Sequence, residues 1–389
     1  MRILQVVALV SGTNAYGGPT TVALNQCRAL ADAGHDVVLA AAGSDLGTSL
    51  PDTVQGVRTA LFPPLQLLPG AGFAGLSSPG LLSWLRRVAA SADVIHVHVA
   101  RDLLTLPAAW LAQRSGTRVV LQPHGMIDAS TNPLARPLDA LLTRKVLSRA
   151  GRVFHLTTRE AEDLCEVARG PVPLQKLHNG MPSASGPHPL TKTAAPEPGV
   201  SGPNDSAAQR RACRVLYLAR LQERKRPLAF VAAARALAPR FPQATFVLVG
   251  PGEGQGEAVR HAIAEAGLGE RLTWEGPVDS QGARQWMARS EIYVLPSVNE
   301  PYPMSVLEAM AAGLPVVITD SCGLAETVER TGSGLVVSAE QEALENALAE
   351  LLGDPAKRRE LGSAAAETID REYAMDAVVD RLLTAYGGR

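Results

Sequence analysis

Short apolar runs rich in Val, Ile and Leu recur along the chain, each followed by a turn and then a segment whose apolar positions fall at helical spacing. They cover residues 3–10, 37–42, 94–97, 119–121, 153–156, 215–218, 245–249, 292–295 and 316–318. Continuous apolar strands alternating with helices predict parallel sheets buried on both faces, a doubly wound α/β architecture. The rhythm stops between Pro182 and Ala212, where Pro, Ser, Gly and Ala dominate. Such a composition reads as a linker, here 183–212. It separates a first α/β domain, 1–182, from a second, 213–365, and a last helical segment, 366–389, is expected to cross back onto the first. In open parallel sheets ligands bind beyond the carboxyl ends of the strands, so the chemistry is expected in the strand-to-helix loops.

Composition narrows the class. At 389 residues the chain is long enough for two domains, and with 46% hydrophobic and 19% charged residues it can bury a core along most of its length. The net charge of −1 gives no field to gather a polyanion, which argues against a nucleic-acid partner. The four cysteines, Cys27, Cys165, Cys213 and Cys322, are scattered without metal spacing and read as small buried hydrophobes in a reducing cytoplasm. The opening apolar run reads as a first strand and not as a signal peptide, and no stretch has the length of a membrane span.

Several loops carry chemistry. The first, 11–19, holds Gly17 and Gly18 ahead of a helical pattern over 20–34, where glycine lets backbone approach a phosphate at a helix N-terminus. The strand 119–121 runs into Gln122-Pro123-His124-Gly125, placing an imidazole where it can bond a bound hydroxyl or phosphate. His96 and His98 are assigned to opposite faces of their strand and not to a metal site. In the second half Arg220 and Lys225 bracket the start of a helix, two cations of the kind a diphosphate leaving group needs; only five lysines occur among the 37 basic residues. Gly250 opens a G-x-G-x-G loop that is a weak dinucleotide signal, lacking the sixth-position glycine and a clear acidic residue at the next strand end.

The strongest segment is 296–318, read as strand, loop, helix, turn, strand. Pro303 suits the first helical position, leaving the amides of Met304, Ser305 and Val306 to meet an anion. Glu300 lies before that helix and Glu308 inside it, so both carboxylates can address one ligand at different depths.

At this point the residues resemble family 4 of the retaining glycosyltransferases. Glu300 and Glu308 reproduce its Glu-x7-Glu signature, Ala309-Met310-Ala311-Ala312-Gly313-Leu314-Pro315 its continuation, and Lys176-Leu177-His178-Asn179-Gly180-Met181 its hinge signature. The resemblance implies a GT-B fold, two facing Rossmann-like domains with the active-site cleft between them. It implies that Glu308 binds ribose hydroxyls and Glu300 the donor sugar. Arg220 and Lys225, with the amides of Gly18 and Met304 to Val306, would neutralise the diphosphate. His124 would lie near the reacting centre, and Pro277 and Val278 would meet the base. Asn14 and Tyr16 are the acceptor candidates. The implied reaction retains the anomeric configuration by front-face attack, and no Asp-x-Asp occurs, so no metal or other cofactor is expected beyond the nucleotide-sugar donor, UDP- or GDP-linked. Tyr302-Pro303 departs from the family's usual Phe-Gly, which bears on sugar preference.

The acceptor is expected to be a sugar, a lipid-linked sugar or a small metabolite, in polysaccharide, glycolipid or metabolite glycosylation. Residues 61–85, apolar and ending in Arg86 and Arg87, suit a membrane surface, although an ordinary buried helix and loop are the favoured account. A sugar-nucleotide epimerase or hydrolase of the same fold is the nearest alternative. A dinucleotide-dependent oxidoreductase lacks its glycine fingerprint after the first strand, and a non-catalytic sensor would not need leaving-group cations.

Overall fold

The computed structural model describes residues 1–11, 17–46, 49–68, 72–130, 135–181 and 213–387; Asn14, Tyr16 and the 183–212 linker lie outside them. The chain forms two compact units, Met1–Pro182 with Tyr373–Arg389, and Ser183–Glu372.

In the first unit the strands are β1 (Arg2–Ser11), β2 (Asp36–Ser44), β3 (Thr53–Val54), β4 (Val57–Phe62), β5 (Leu65–Gln66), β6 (Leu76–Ser77), β7 (Val94–Val97), β8 (Arg118–Leu121), β9 (Arg152–His155) and β10 (Leu174–Lys176). Among the described residues eight of them form one sheet in the order β10-β9-β8-β7-β1-β2-β4-β3, while β5 and β6 form a separate antiparallel hairpin. All neighbours in the large sheet run parallel except β3 and β4. β1 shows why both faces are covered. Leu4, Val6 and Ala8 enter one apolar core with residues of helices Pro79–Val88 and Thr105–Gln113. Ile3, Val7 and Val10 enter the other, beneath helix Gly17–Asp32.

The second core is completed by the end of the chain. Met375, Val378, Val379 and Leu382 make a buried stripe at helical spacing on helix Met375–Ala385. The chain joins this unit at Tyr373, later than the expected 366, after a π-helical turn Ile369–Tyr373. Met181 secures it there, donating to Tyr373 O at 2.8 Å and accepting from Met375 N–H at 3.1 Å.

The second unit has β11 (Arg214–Leu218), β12 (Thr245–Val249), β13 (Leu272–Trp274), β14 (Ile292–Leu295), β15 (Val316–Thr319) and β16 (Gly334–Val337), in the order β13-β12-β11-β14-β15-β16. Every pair is parallel. The chain builds outward from β11 on one side and from β14 on the other, so the β11/β14 junction is the topological switch point, where ligands of such sheets bind. In the first unit the corresponding junction is β1/β7.

The apolar runs found all the long central strands. Those they missed, β4, β10, β13 and β16 among them, are short or only half-buried and lie toward sheet edges, so they lack a continuous apolar run. Cys165 is exposed, contrary to the expectation of burial; on helix Thr158–Ala168 the inward positions are Glu160, Leu164 and Val167, which turns Cys165 outward. In the 61–85 stretch Leu81 and Leu85 are buried and Trp84 packs on Phe62, whereas Leu65, Leu67 and Leu68 of the hairpin are exposed. No helix of the described residues is long and apolar enough to cross a membrane.

Candidate functional site

In the second unit the loops after β11 and β14 meet at the switch point. After β11 the chain makes a 3-10 turn, Glu223–Lys225, then enters helix Pro227–Leu237 through Arg226, whose φ of 52° is left-handed. The Tyr217 hydroxyl donates to the Lys225 carbonyl at 3.3 Å, and Val298 N–H donates to the Arg224 carbonyl at 2.9 Å, which ties the two loops together. The Lys225 ammonium forms a close ion pair with Glu300. Both side chains are nearly buried, 11% and 8% exposed, and Arg224 Nη1 stands 3.6 Å from the same carboxylate oxygen. Burial pushes the Lys225 ammonium below its usual pKa, and the charge of Glu300 opposes that shift.

The loop carrying Glu300 is clamped by the next strand-to-helix loop. Gly323 N–H donates to the Glu300 carbonyl at 2.8 Å, Asn299 N–H donates to Ser321 Oγ at 3.0 Å, and the Thr319 hydroxyl donates to the Ser297 carbonyl. Asn299, between them, has a left-handed φ of 51°.

Arg220 sits apart from this pair. It is half exposed and reaches Glu253 at 3.5 Å, while Gln222 holds the same carboxylate oxygen at 2.9 Å. Both cations assigned to the diphosphate therefore have carboxylate partners here. Arg224, which the sequence reading did not single out, is a third cation of the site; its adjacency to Lys225 was the available signal.

Helix Met304–Ala311 begins one residue later than expected. Pro303 is its N-cap, with φ −77° and ψ 108°, because a residue with extended ψ cannot be the first helical one. Val306 N–H closes onto the Pro303 carbonyl at 3.1 Å, so of the three amides proposed for an anion this one is engaged. Ser305 N–H has no acceptor among the described residues, and the Ser305 hydroxyl is bonded to Tyr293 at 2.7 Å. Glu308, half-buried on this helix, has no hydrogen-bonding partner among the described residues, and burial raises its pKa. Its two oxygens are thus acceptors without donors.

Gly250 has a structural role. Its φ is 141°, and a Cβ there would stand 2.0 Å from the Ala219 carbonyl oxygen. Its amide donates to Gly276 O at 2.8 Å and its carbonyl accepts from the Trp274 indole at 2.9 Å, so both backbone groups are occupied. Pro277 and Val278, just beyond, are exposed.

In the first unit helix Gly17–Asp32 begins at Gly17, so the two glycines occupy its first turn and not the loop before it. A Cβ at Gly18 would meet no atom of the described residues. His124, at the end of β8, is half-buried with a left-handed φ of 55°. Its Nε2 lies 2.7 Å from His98 Nδ1, the two rings being nearly parallel and meeting edge to edge with centroids 5.1 Å apart, and His98 Nε2 lies 2.9 Å from Gln5 Oε1. The assignment of His96 and His98 to opposite faces is wrong: residues two apart in a strand share a face, and these rings stack at 4.6 Å. Burial drives the pKa of His96 and His124 down to about 3 and that of His98 well below its usual value.

Residues 17–180 match the glycosyl transferase 4-like domain, and residues 204–368 match glycosyl transferases group 1. The chain belongs to the family 4 type of glycosyltransferases. The chain has the GT-B fold, with one parallel-sheet α/β domain in each unit. It is 29% identical over 182 residues to a D-inositol 3-phosphate glycosyltransferase of Thermomonospora curvata, an alignment covering 45% of this chain and 42% of that relative, so the match spans less than half of the relative's length. It is 29% identical over 305 residues to a 2-deoxystreptamine N-acetyl-D-glucosaminyltransferase of Streptomyces fradiae, covering 76% of this chain and 70% of the other. Among solved structures, Anabaena HepE in complex with UDP and glucose superposes with a TM-score of 0.74 at 17% identity, covering all of both chains.

Proposed function

We propose that this chain transfers a sugar from a nucleotide-diphospho-sugar to an acceptor hydroxyl with retention of the anomeric configuration. The observation that carries the reading is the buried Lys225–Glu300 pair at the β11/β14 switch point, with Arg224 beside it. A cation and a carboxylate held side by side there offer one group to a diphosphate and the other to sugar hydroxyls. Glu308, with two acceptor oxygens and no donor, supplies the ribose contact.

In the reaction, the bond from the anomeric carbon to the diphosphate breaks as the acceptor oxygen bonds to the same face of that carbon. The acceptor's proton passes to a donor phosphate oxygen. The step needs charge stabilisation of the leaving diphosphate more than a protein base, and Lys225 and Arg220 provide it, at roughly 2–4 kcal/mol for a strong preorganised donor. These fixed charges take the place of a metal ion, so the reaction proceeds with chelator present. HepE in complex with UDP and glucose supports UDP as the donor's nucleotide, ahead of GDP. The names of both curated relatives specify small polyhydroxylated acceptors, which supports glycosylation of a metabolite over a polysaccharide or glycolipid.

The test is a thermal-shift screen against UDP, GDP, ADP, TDP and NAD without metal, followed by NMR of the anomeric product. A ligand at about 100 times its dissociation constant adds about 2.7 kcal/mol to the folded state. Stabilisation by UDP and an unchanged anomeric configuration are expected; stabilisation by NAD alone, or an inverted product, overturns the reading.

A further inference from the structure

We infer that His98 and Gln5 are positioning residues that fix His124 as its Nε2–H tautomer, so that the ring presents a bare Nδ1 and takes a hydroxyl group, not a phosphate, as its ligand. That the hydroxyl belongs to a sugar substrate rests on the transfer reading above; the tautomer does not.

A neutral imidazole has one N–H donor and one acceptor nitrogen, and an amide oxygen only accepts. Gln5 presents Oε1 to His98 Nε2 at 2.9 Å, which puts the His98 proton on that nitrogen; the inference includes this orientation of the amide, whose own Nε2 is buried without a hydrogen-bond partner among the described residues. His98 Nδ1 is then bare, and His124 Nε2, 2.7 Å away, must supply the proton between them. Nothing remains on His124 Nδ1, which has no partner among the described residues. A phosphate oxygen would meet it lone pair against lone pair, whereas a hydroxyl can donate to it.

The surroundings keep this arrangement in place. Gln5, His96 and His98 are fully buried in the sheet around the β1/β7 switch point, and His96 stacks on His98 while bonding Tyr386 at 2.8 Å. Glu160, a buried carboxylate adjoining the His124 turn, is spent on backbone: it accepts from Gly125 N–H and from Leu156 N–H, both at 2.6 Å. Those bonds, with Met126 N–H on the Pro123 carbonyl at 3.0 Å, hold His124 in a backbone region that non-glycine residues rarely occupy.

The experiment is long-range 1H–15N NMR of the full chain labelled at histidine, with the His124 signals identified by their loss in His124→Gln. A protonated Nε2 and a bare Nδ1 at neutral pH are expected; an Nδ1–H tautomer or an imidazolium overturns the inference. Two variants extend the test. His98→Asn keeps an acceptor oxygen near the position of Nδ1 and should retain both the tautomer and a turnover close to that of the natural chain. His98→Leu should release a tautomer mixture and lower kcat about tenfold, the loss of one buried hydrogen bond. Equal tautomer and equal turnover in the two variants overturn the positioning role. If either variant fails to fold, the natural chain's spectrum still decides. Absence of transfer from every nucleotide sugar, with the tautomer as stated, would overturn the transfer reading and leave the inference intact.

Discussion

Lys225 and Glu300, 75 residues apart in sequence, form a nearly buried ion pair between the loops that follow two neighbouring strands. Neither charge could be buried alone. Removing one partner of such a pair leaves an uncompensated charge, at about 3–5 kcal/mol, while removing both is often neutral. Lys225→Met is therefore expected to lower stability, by somewhat less than that range because Arg224 is 3.6 Å from the remaining carboxylate. Adding Glu300→Gln should recover most of the loss. Urea unfolding of the two single variants and the double gives the coupling; strictly additive effects would show that the residues do not act as a pair. All three proteins should have lost transfer activity.

Arg220 separates catalysis from stability. Its contact with Glu253 is half exposed and 3.5 Å long, and such surface pairs contribute about 0–1 kcal/mol. Gln222 keeps Glu253 bonded if the arginine is removed. Arg220→Ala should thus leave the melting temperature nearly unchanged while lowering kcat about 10²–10³-fold, the loss of one oxyanion-type donor. Near-normal turnover would remove Arg220 from the diphosphate site.

These two residues also show what local sequence can reveal. Lys225 and Glu300 stood out as candidates in the sequence because each lies in a loop after an apolar run, next to a helix start. Their pairing was not, since it depends on β11 and β14 being neighbours. The long central strands were legible from composition: Val215, Leu216 and Tyr217 are fully buried, as are Ile292, Tyr293 and Val294. Edge strands such as β16, with each of its residues half-buried, carry no such signal. His124 was found from its place at a strand end, but His98 and Gln5, which set what its ring can do, come from other strands. Pro303 was placed one residue too far into its helix because proline's fixed φ fits both the cap and the first turn; ψ decides between them.

Glu308 should make nucleotide binding depend on pH. Burial raises its pKa, so on acidification it takes up a proton in the folded chain before an ordinary glutamate would. A protonated carboxyl loses acceptor capacity for two ribose hydroxyls, and UDP affinity is expected to rise as pH climbs through that raised value. Stability runs the other way. The folded state binds the proton more tightly than the unfolded one, so the burial penalty is absent below the ordinary carboxylate range and grows as pH rises through the folded pKa. Glu308→Gln should therefore melt higher than the natural chain at neutral pH, match it in acid, and bind UDP more weakly and without this pH dependence. Calorimetric titration and melting curves at several pH values test both; an unchanged UDP affinity in Glu308→Gln would remove the ribose role.

The three clustered histidines should make the first unit sensitive to acid. Burial holds His96 and His124 down at about 3 and His98 well below its usual value, so each is neutral in the folded chain and takes up a proton on unfolding once the pH falls below about 6.5. Each group's contribution is fully present above that pH and is lost as pH falls toward the folded value, with a slope of about 1.4 kcal/mol per pH unit per histidine. Two carboxyls of the same unit act in the opposite sense: burial raises Asp102 to about 6 and raises Glu160 as well. The informative quantity is therefore a difference. His96→Gln, which can keep a bond to the Tyr386 hydroxyl, removes one titrating group from the cluster and leaves both carboxyls in place. Unfolding free energies from urea titrations at about pH 7, 6 and 5 should fall less steeply with acid in the variant, by close to one proton's slope below pH 6.5. Parallel pH profiles would mean that His96 is protonated in the folded chain, or keeps an ordinary pKa there, and is not held neutral by its burial.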